Sequence, residues 1–222
     1  MGLGGVEVRR RRLSGWLALV LALTALDYGA RLSEGKPPKD VLYRWENALG
    51  GAIEFAIILG LVLLIARGDR ALFALRRPRN AGGAVGGALL VLLSVYVLTA
   101  LLSPILDPAR EQGLTPDHWD SSRATPFIAN ALVICVVAPF VEEITFRGVG
   151  FSLIAARFGV EPAIVATAVF WGLAHGLFEA LPLLVGFGIG LAWLRERQDS
   201  IVPGMILHAL FNTLALVYSL TT

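Results

Sequence analysis

Long apolar runs alternate with short polar or basic segments along the whole chain. A transmembrane helix needs about 20 consecutive apolar residues, because the hydrocarbon core is about 30 Å thick and a helix rises about 1.5 Å per residue. Membrane-spanning helices are therefore predicted over residues 13–30, 48–66, 82–106, 127–158, 162–177, 181–194 and 201–220. The pattern predicts an all-α, polytopic transmembrane bundle of seven helices, or of eight if the long fourth run crosses twice.

The fourth run, residues 127–158, is too long for one untilted crossing. Proline has no backbone N–H and removes a helical hydrogen bond, so we expect Pro139 to kink this helix. Gly159 supplies a tight turn before the next helix, which is expected to start at Pro162. An eighth crossing inside the fourth run is the alternative, and it would invert the topology of everything that follows.

The composition identifies an integral membrane protein. The chain has 222 residues, of which 56% are hydrophobic and 16% are charged, whereas soluble domains have about 25% charged residues. The single cysteine, Cys135, excludes a disulfide scaffold and a cysteine-based metal site. The basic residues form no face interleaved with aromatic residues, so a nucleic-acid partner is not expected.

The arginines mark topology. Four consecutive arginines occupy residues 9–12, and five arginines face one aspartate over residues 67–79. Because cytoplasmic segments are enriched in basic residues, both segments and the N-terminus are predicted to be cytoplasmic, with the first apolar run retained as an uncleaved span. Residues 107–126 hold four acids against two arginines, as expected of an external loop, and include His118. Alternation then places Arg157, Arg195 and Arg197 on the cytoplasmic side.

Three ionisable residues interrupt the fourth apolar run. Glu142 and Glu143 are adjacent, and Arg147 follows Glu143 by four residues. On a helix, Glu143 and Arg147 share a face and can form an ion pair, while Glu142 points about 100° away. Charge within a membrane costs roughly 2.5–3.5 kcal/mol per residue on insertion scales, so these residues indicate a functional site. Asp27 and Glu54, in earlier runs, are secondary candidates that line a cavity or lie near the interface.

Polar residues at helical spacing recur in the later runs. Trp171 precedes His175 by four residues, and His208 precedes Asn212 by four residues. Each pair therefore lies on one helical face. A single buried histidine or asparagine often only bridges helices. Three such residues, His175, His208 and Asn212, together with Glu142 favour a shared catalytic site.

In sequence order, the three motifs resemble those of the CPBP family of intramembrane proteases, which includes type II CAAX prenyl endopeptidases and bacteriocin-processing or immunity proteins. The motifs are Glu-Glu-x-x-x-Arg, aromatic-x-x-x-His and His-x-x-x-Asn. The family usually has phenylalanine where this chain has Trp171. The resemblance covers roughly residues 127–217, and it implies a catalytic core over 127–222 after a divergent three-span region over 1–126.

Matched residue by residue, the resemblance implies that Glu142, His175, His208 and Asn212 are catalytic, supported by Glu143, Arg147 and Trp171. Glu142 would be the general base that activates water. His208 and Asn212 would donate hydrogen bonds to the oxyanion, each worth roughly 2.7–4 kcal/mol. A metal-free mechanism with no cofactor is favoured. The runner-up is a zinc site with Glu142, His175 and His208 as its ligands.

The expected partners are the lipid bilayer and a membrane-anchored protein or lipidated peptide substrate. The Arg-, Ala-, Gly- and Leu-rich composition suggests a GC-rich bacterium, hence an inner-membrane location and native substrates that are not prenylated. In the seven-span topology the candidate residues meet at mid-depth or in the outer half of the bilayer, which suits a myxosortase-like member that trims C-terminal anchors. The alternative is a non-enzymatic binding, immunity or transport protein that uses the same polar cluster.

Overall fold

The computed structural model describes residues 3–106, 111 and 119–220. Helices account for 83% of the structure, and the described residues form seven helices and no strand. They are α1 (Leu3–Glu34), α2 (Trp45–Ala66), α3 (Ala81–Leu102), α4 (Ser121–Phe158), α5 (Val160–Leu173), α6 (Leu181–Gln198) and α7 (Val202–Ser219). The predicted all-α transmembrane bundle is confirmed. His118 and most of its loop lie outside the described residues.

Five of the seven helices are long and apolar enough to cross a membrane: α1 from Glu7, α2, α3, α4 and α7. Helix α5 has 14 residues, and at about 1.5 Å per residue it is shorter than the hydrocarbon core. The fourth run forms one helix of 38 residues and not two. The structure therefore has the seven helices of the first alternative, and five of the seven predicted spans are long and apolar enough to cross the membrane.

Helix α4 continues through Pro139 because its turns on both sides of the proline are π-helical, which are wider than α-helical turns. One π segment, Val133–Val137, precedes the proline, and a second, Glu143–Gly150, follows it. A proline cannot donate to the preceding turn and its ring crowds the carbonyl four residues earlier, so a wider turn at that point relieves both problems. The second π segment carries the Glu143 and Arg147 side chains, both fully buried.

The arginine-rich ends of the helices gather on one side of the bundle. Arg12 near the start of α1 pairs with Asp69, with Nη1 and Oδ2 2.9 Å apart. The α2–α3 connection meets the α6–α7 connection through Arg76, whose Nη2 lies 2.8 Å from Asp199 Oδ1. Near the end of α4, Ser152 donates a hydrogen bond to Leu72 O at 3.0 Å. The clusters predicted to share one side of the membrane are thus brought together.

The opposite side of the bundle is organised around Asp120, immediately before α4. Its carboxylate accepts hydrogen bonds from Ser122 Oγ at 2.6 Å and from Arg123 Nε at 2.7 Å. The hydrogen bonds from Ser122 and Arg123 lower the pKa of the Asp120 carboxyl to about 2. The contacts fix the start of the helix that carries the Glu142–Glu143 pair.

Helix α6 packs closely on its neighbours through three glycines. A Cβ at Gly186 would lie 2.4 Å from Leu98 of α3, and a Cβ at Gly190 would lie 2.5 Å from Val91 of the same helix. A Cβ at Gly188 would lie 3.0 Å from Ala168 of α5. Small residues allow membrane helices to approach closely. The Gly-x-Gly-x-Gly sequence is therefore a packing motif that presses α6 between α3 and α5.

Candidate active site

The structure brings Glu142, His175 and His208 together from α4, the α5–α6 turn and α7. His208 Nε2 lies 3.8 Å from Glu142 Oε2, and His208 Nδ1 lies 3.3 Å from Glu143 Oε1. His208 is buried, while 17% of the Glu142 side chain is exposed. Glu142 and His175 line one cavity of about 210 Å³. Glu142 and His208, more than 60 positions apart in the chain, therefore lie next to each other at the cavity that Glu142 and His175 line.

Glu143 and Arg147 form the predicted ion pair. Arg147 Nη1 lies 3.2 Å from Glu143 Oε1, and neither side chain has any solvent exposure. Arg147 Nη2 also donates to Gly188 O at 3.2 Å, and its guanidinium lies 4.6 Å from the centre of the Trp171 ring. Buried charges need such compensation because a lone one is strongly destabilising. The pair holds α4 against α5 and α6, directly behind Glu142.

Trp171 contacts nearly every member of the site. Its Nε1 donates a hydrogen bond to Glu142 Oε2 at 2.6 Å. Its ring meets the rings of His175 and His208 edge-to-face, at centroid distances of 4.7 and 5.3 Å. Phenylalanine lacks an N–H, so the departure from the family pattern adds a donor that a phenylalanine could not supply. Trp171 fixes one oxygen of Glu142 and leaves the other, Oε1, for a different partner.

His175 lies just beyond the end of α5 and not inside it. The predicted helical end at residue 177 is wrong, because the helix ends at Leu173 and Gly176 turns the chain with a φ of +62°. A Cβ at Gly176 would lie 2.7 Å from the Asp27 backbone, so only glycine fits this close approach. The turn is sandwiched between the end of α5 and α1. Its tight path places His175 in the cavity wall.

The tautomer of His175 follows from its neighbour. His175 Nδ1 lies 2.7 Å from the carbonyl oxygen of Trp171. A carbonyl oxygen only accepts, so Nδ1 carries the proton and, in the neutral ring, Nε2 is an acceptor. His175 therefore presents a lone pair, and Glu142 a carboxylate oxygen, to the same cavity.

The α5–α6 turn is held by a carboxylate that sequence reasoning counted only as part of an acidic loop. Glu111 is buried and accepts the backbone N–H groups of Phe178, Glu179 and Ala180 at 2.6, 2.8 and 2.9 Å. Irregular backbone at membrane depth survives only where its polar groups are satisfied within the protein. Glu111 meets that requirement for the turn that carries His175, because it accepts the N–H groups just before the start of α6. No local pattern marks a contact between residues so far apart in sequence.

Asn212 joins the site's framework. Its Nδ2 donates to Ile134 O at 2.9 Å, and it is not among the residues that line the cavity. Ile134 lies five residues before Pro139, in the π segment where hydrogen bonds span five residues. Pro139 has no N–H to give, so Asn212 supplies the donor that the Ile134 carbonyl would otherwise lack. The Asn212 side chain on α7 thereby replaces the backbone hydrogen bond that Pro139 cannot make in α4.

Asp27 of α1 and Glu54 of α2 line the same cavity as Glu142 and His175. Helix α1 is held against the second π segment by Trp16, whose Nε1 donates to Thr145 O at 2.9 Å. Gly150 allows this approach, since a Cβ there would lie 2.4 Å from the Trp16 ring. The first two helices, which no motif covers, therefore build the acidic wall of the cavity.

Zinc would need Glu142, His175 and His208 to converge on one point. In the described part of the chain no three His, Cys, Asp or Glu side chains form a group that could hold a metal ion. Trp171 already occupies the Glu142 oxygen nearest His208, and Glu143 occupies His208 Nδ1. The side chains as placed do not fit the three-ligand zinc site.

Comparison with known proteins finds a family match over the part of the chain that carries these residues. The model of the type II CAAX prenyl endopeptidase Rce1-like family matches residues 124–214. The resemblance that the three motifs predicted is confirmed. The matched part of the chain contains all seven predicted site residues and ends before the C-terminal turn of α7.

A curated relative extends the similarity beyond the family match. The chain is 25% identical over 191 residues to the "Putative membrane peptidase YdiL" of Bacillus subtilis (strain 168), which covers 84% of this chain and 78% of that protein. No solved structure matches the chain. The family and this relative together point to a membrane peptidase of the CAAX type.

Proposed function

We propose that this protein is an intramembrane endopeptidase that hydrolyses a peptide bond near the membrane-associated C-terminal end of a substrate protein. The observation that carries the proposal is the shared cavity of Glu142 and His175, with His208 Nε2 3.8 Å from Glu142 Oε2. A base, a second proton acceptor and a donor around one small space are the components that water-based peptide hydrolysis needs.

In the proposed first step, a water molecule lies between Glu142 Oε1 and His175 Nε2. Trp171 Nε1 fixes Glu142 Oε2, so the free oxygen has a defined direction. Glu142 takes one proton from the water as its oxygen attacks the carbonyl carbon of the scissile bond. His175 orients the water through its lone pair.

The charge that forms on the carbonyl oxygen is stabilised by His208. Its Nδ1 donates to Glu143 Oε1, and in the proposed step the ring also carries a proton at Nε2, which donates to the oxyanion. One N–H of Asn212 donates to Ile134 O, and in this proposal Asn212 positions His208 by holding α7 against α4 and does not itself contact the oxyanion. Collapse of the tetrahedral intermediate breaks the C–N bond, and Glu142 returns its proton to the leaving nitrogen.

The location of the site favours a substrate that reaches it from the side opposite the arginines. Helix α5 runs about 21 Å from Val160 to Leu173, and His175 follows its far end. With the arginine-rich side in the cytoplasm, the cavity lies in the outer half of a bacterial inner membrane and the N-terminus is cytoplasmic. This placement suits removal of a C-terminal membrane anchor from an exported protein.

Cleavage by the purified protein tests the proposal. The full chain is reconstituted in liposomes with anchored C-terminal segments of exported bacterial proteins, and the products are mapped by mass spectrometry. We expect one cut next to the hydrophobic anchor in the wild type and the same cut at a rate about 10²- to 10³-fold lower with His208→Ala. Substrates that stay intact with a folded wild type would favour the non-enzymatic alternative, a binding, immunity or transport role for the same cluster.

The same assay with a chelator distinguishes the two mechanisms. Because the three candidate ligands lie near one another but do not form a group that could hold a metal ion, we expect the cleavage rate to be unchanged after incubation with EDTA and 1,10-phenanthroline. A rate that falls to the His208→Ala level and returns when zinc is added would require the metallo-mechanism instead.

Trp171→Phe tests the hydrogen bond to Glu142 and restores the residue that the family usually has. A hydrogen bond to a charged group is worth about 1.5–3 kcal/mol. We expect kcat to fall roughly tenfold with KM little changed, because the bond orients the base and does not contact the substrate. Phe187→Leu, a change in the ring that packs on Trp171, is the control for altered packing. An unchanged kcat in Trp171→Phe would show that the bond is not used.

A further inference from the structure

A second and larger cavity lies on the arginine-rich side, between α1 and α2. It measures about 680 Å³. We call it the arginine groove, and its lining residues are Glu7, Val8, Arg11, Arg12, Gly15, Leu19, Ala22, Leu61, Leu64, Ile65 and Arg67. The groove shares no lining residue with the cavity of Glu142 and His175.

Polarity changes along the groove in the same direction on both helices. Arg11 and Arg12 lie near the start of α1, and Ala22 lies about 15 Å further along the helix axis from Arg12. Helix α2 runs the other way, from apolar Leu61 to Arg67 at its end. One end of the groove is therefore cationic and the other is aliphatic. The distance between the two ends matches the distance from a phospholipid headgroup to the upper part of its acyl chain.

The charge of the lining is unbalanced. Three arginines face one glutamate, Glu7, which pairs with Arg11 on the exposed surface. Arg12 pairs with Asp69 through Nη1, while its Nε is buried and has no hydrogen-bond partner. A buried guanidinium N–H without an acceptor is an expected binding position for an anion that the protein does not itself supply.

We propose that the arginine groove binds one anionic glycerophospholipid. Its phosphate lies among Arg11, Arg12 and Arg67, and one acyl chain runs along Leu19, Ala22, Leu61 and Leu64. An amphipathic anion of this length matches both ends of the groove, and anionic lipids are the abundant membrane component with that chemistry. The lipid joins the two helices that carry Asp27 and Glu54. The proposal does not depend on the reaction that the protein catalyses.

Native mass spectrometry of the full chain tests the binding. The protein is purified in detergent and mixed with equal amounts of palmitoyl-oleoyl phosphatidylglycerol and phosphatidylcholine. Each arginine near an anionic headgroup contributes about fivefold in affinity, so the three arginines give an expected phosphatidylglycerol preference on the order of a hundredfold. Arg11→Gln/Arg67→Gln keeps only Arg12 and should reduce that preference to about fivefold. Ala22→Phe, which fills the apolar end, should reduce retention of both lipids.

The matched control removes two arginines elsewhere on the same side. Arg157 and Arg197 are exposed and lie outside the groove, so Arg157→Gln/Arg197→Gln should keep the wild-type preference. Equal losses in the two double variants would overturn the proposal, because net charge would then explain the preference. It would also be overturned by displacement of the lipid with 10 mM inorganic phosphate. Folding is checked by thermal unfolding, which we expect to be equal in lipid-free detergent.

Discussion

Glu142→Gln is expected to slow peptide cleavage by about 10²- to 10⁴-fold while leaving the fold intact. Glutamine keeps a carbonyl oxygen that accepts the Trp171 Nε1 hydrogen bond, so the side chain stays in place. It cannot take a proton from water, and a general base contributes about 10²- to 10⁴-fold to a rate. We expect kcat/KM to fall by about that factor, measured with a membrane-anchored substrate in liposomes.

A second glutamate provides the control for this substitution. Glu46 is exposed at the start of α2, and Glu46→Gln changes the charge of the protein equally without touching the cavity. We expect this variant to cleave at the wild-type rate, and both variants to unfold at the wild-type temperature. A Glu142→Gln protein with wild-type activity would remove Glu142 from the mechanism and the glutamate-dependent hydrolysis with it.

The largest effect on stability is expected for Arg147→Met. Arg147 and Glu143 have no exposed side-chain surface, and their charged atoms lie 3.2 Å apart. Removing the arginine leaves a buried carboxylate without its main partner, which destabilises a protein by about 3–5 kcal/mol. Denaturant unfolding in mixed micelles measures the change. Activity is expected to fall as well, because Glu143 also holds His208 Nδ1.

Two further variants separate the buried charge from simple loss of packing. In Glu143→Gln/Arg147→Met neither charge remains, and replacing a buried pair by uncharged residues of similar size is often close to neutral. This double variant should recover more than half of the lost stability. Arg11→Met breaks the exposed pair with Glu7, which has the same four-residue spacing, and should leave stability nearly unchanged. A double variant as unstable as Arg147→Met would contradict the role of the ion pair.

Most of the fold could be predicted from the sequence because the membrane constrains it so strongly. Each helix is a run of apolar residues bounded by charge, glycine or proline, and the runs alone predicted the seven helices. The pattern could not predict the π turns of α4. The sequences of residues 133–137 and 143–150 are equally compatible with an α-helix, so they contain no signal for the wider turn. The pattern also placed the end of α5 four residues late, since Ala174 and Leu177 continue the apolar pattern on both sides of Gly176.

The site was predicted by motif rather than by geometry. Glu142, His175 and His208 do converge, but the sequence offered no signal for the contacts between distant segments that hold them. The Asn212 bond to Ile134 O and the Glu111 bonds to the α5–α6 turn each span more than 65 residues. Asp27 and Glu54 were secondary candidates because no motif includes them. Long-range contacts depend on how the helices pack, which local patterns do not encode.

The central claim is that Glu142 and His208 act on the same water and carbonyl group within one cavity. Single-turnover cleavage by Glu142→Gln, by His208→Ala and by the double variant measures this most directly. Residues that act as a unit have non-additive effects on rate, so the double variant should be no slower than the slower single variant, within about threefold. A double variant whose rate loss equals the product of the two single losses would show that the residues act independently, and it would contradict the shared site.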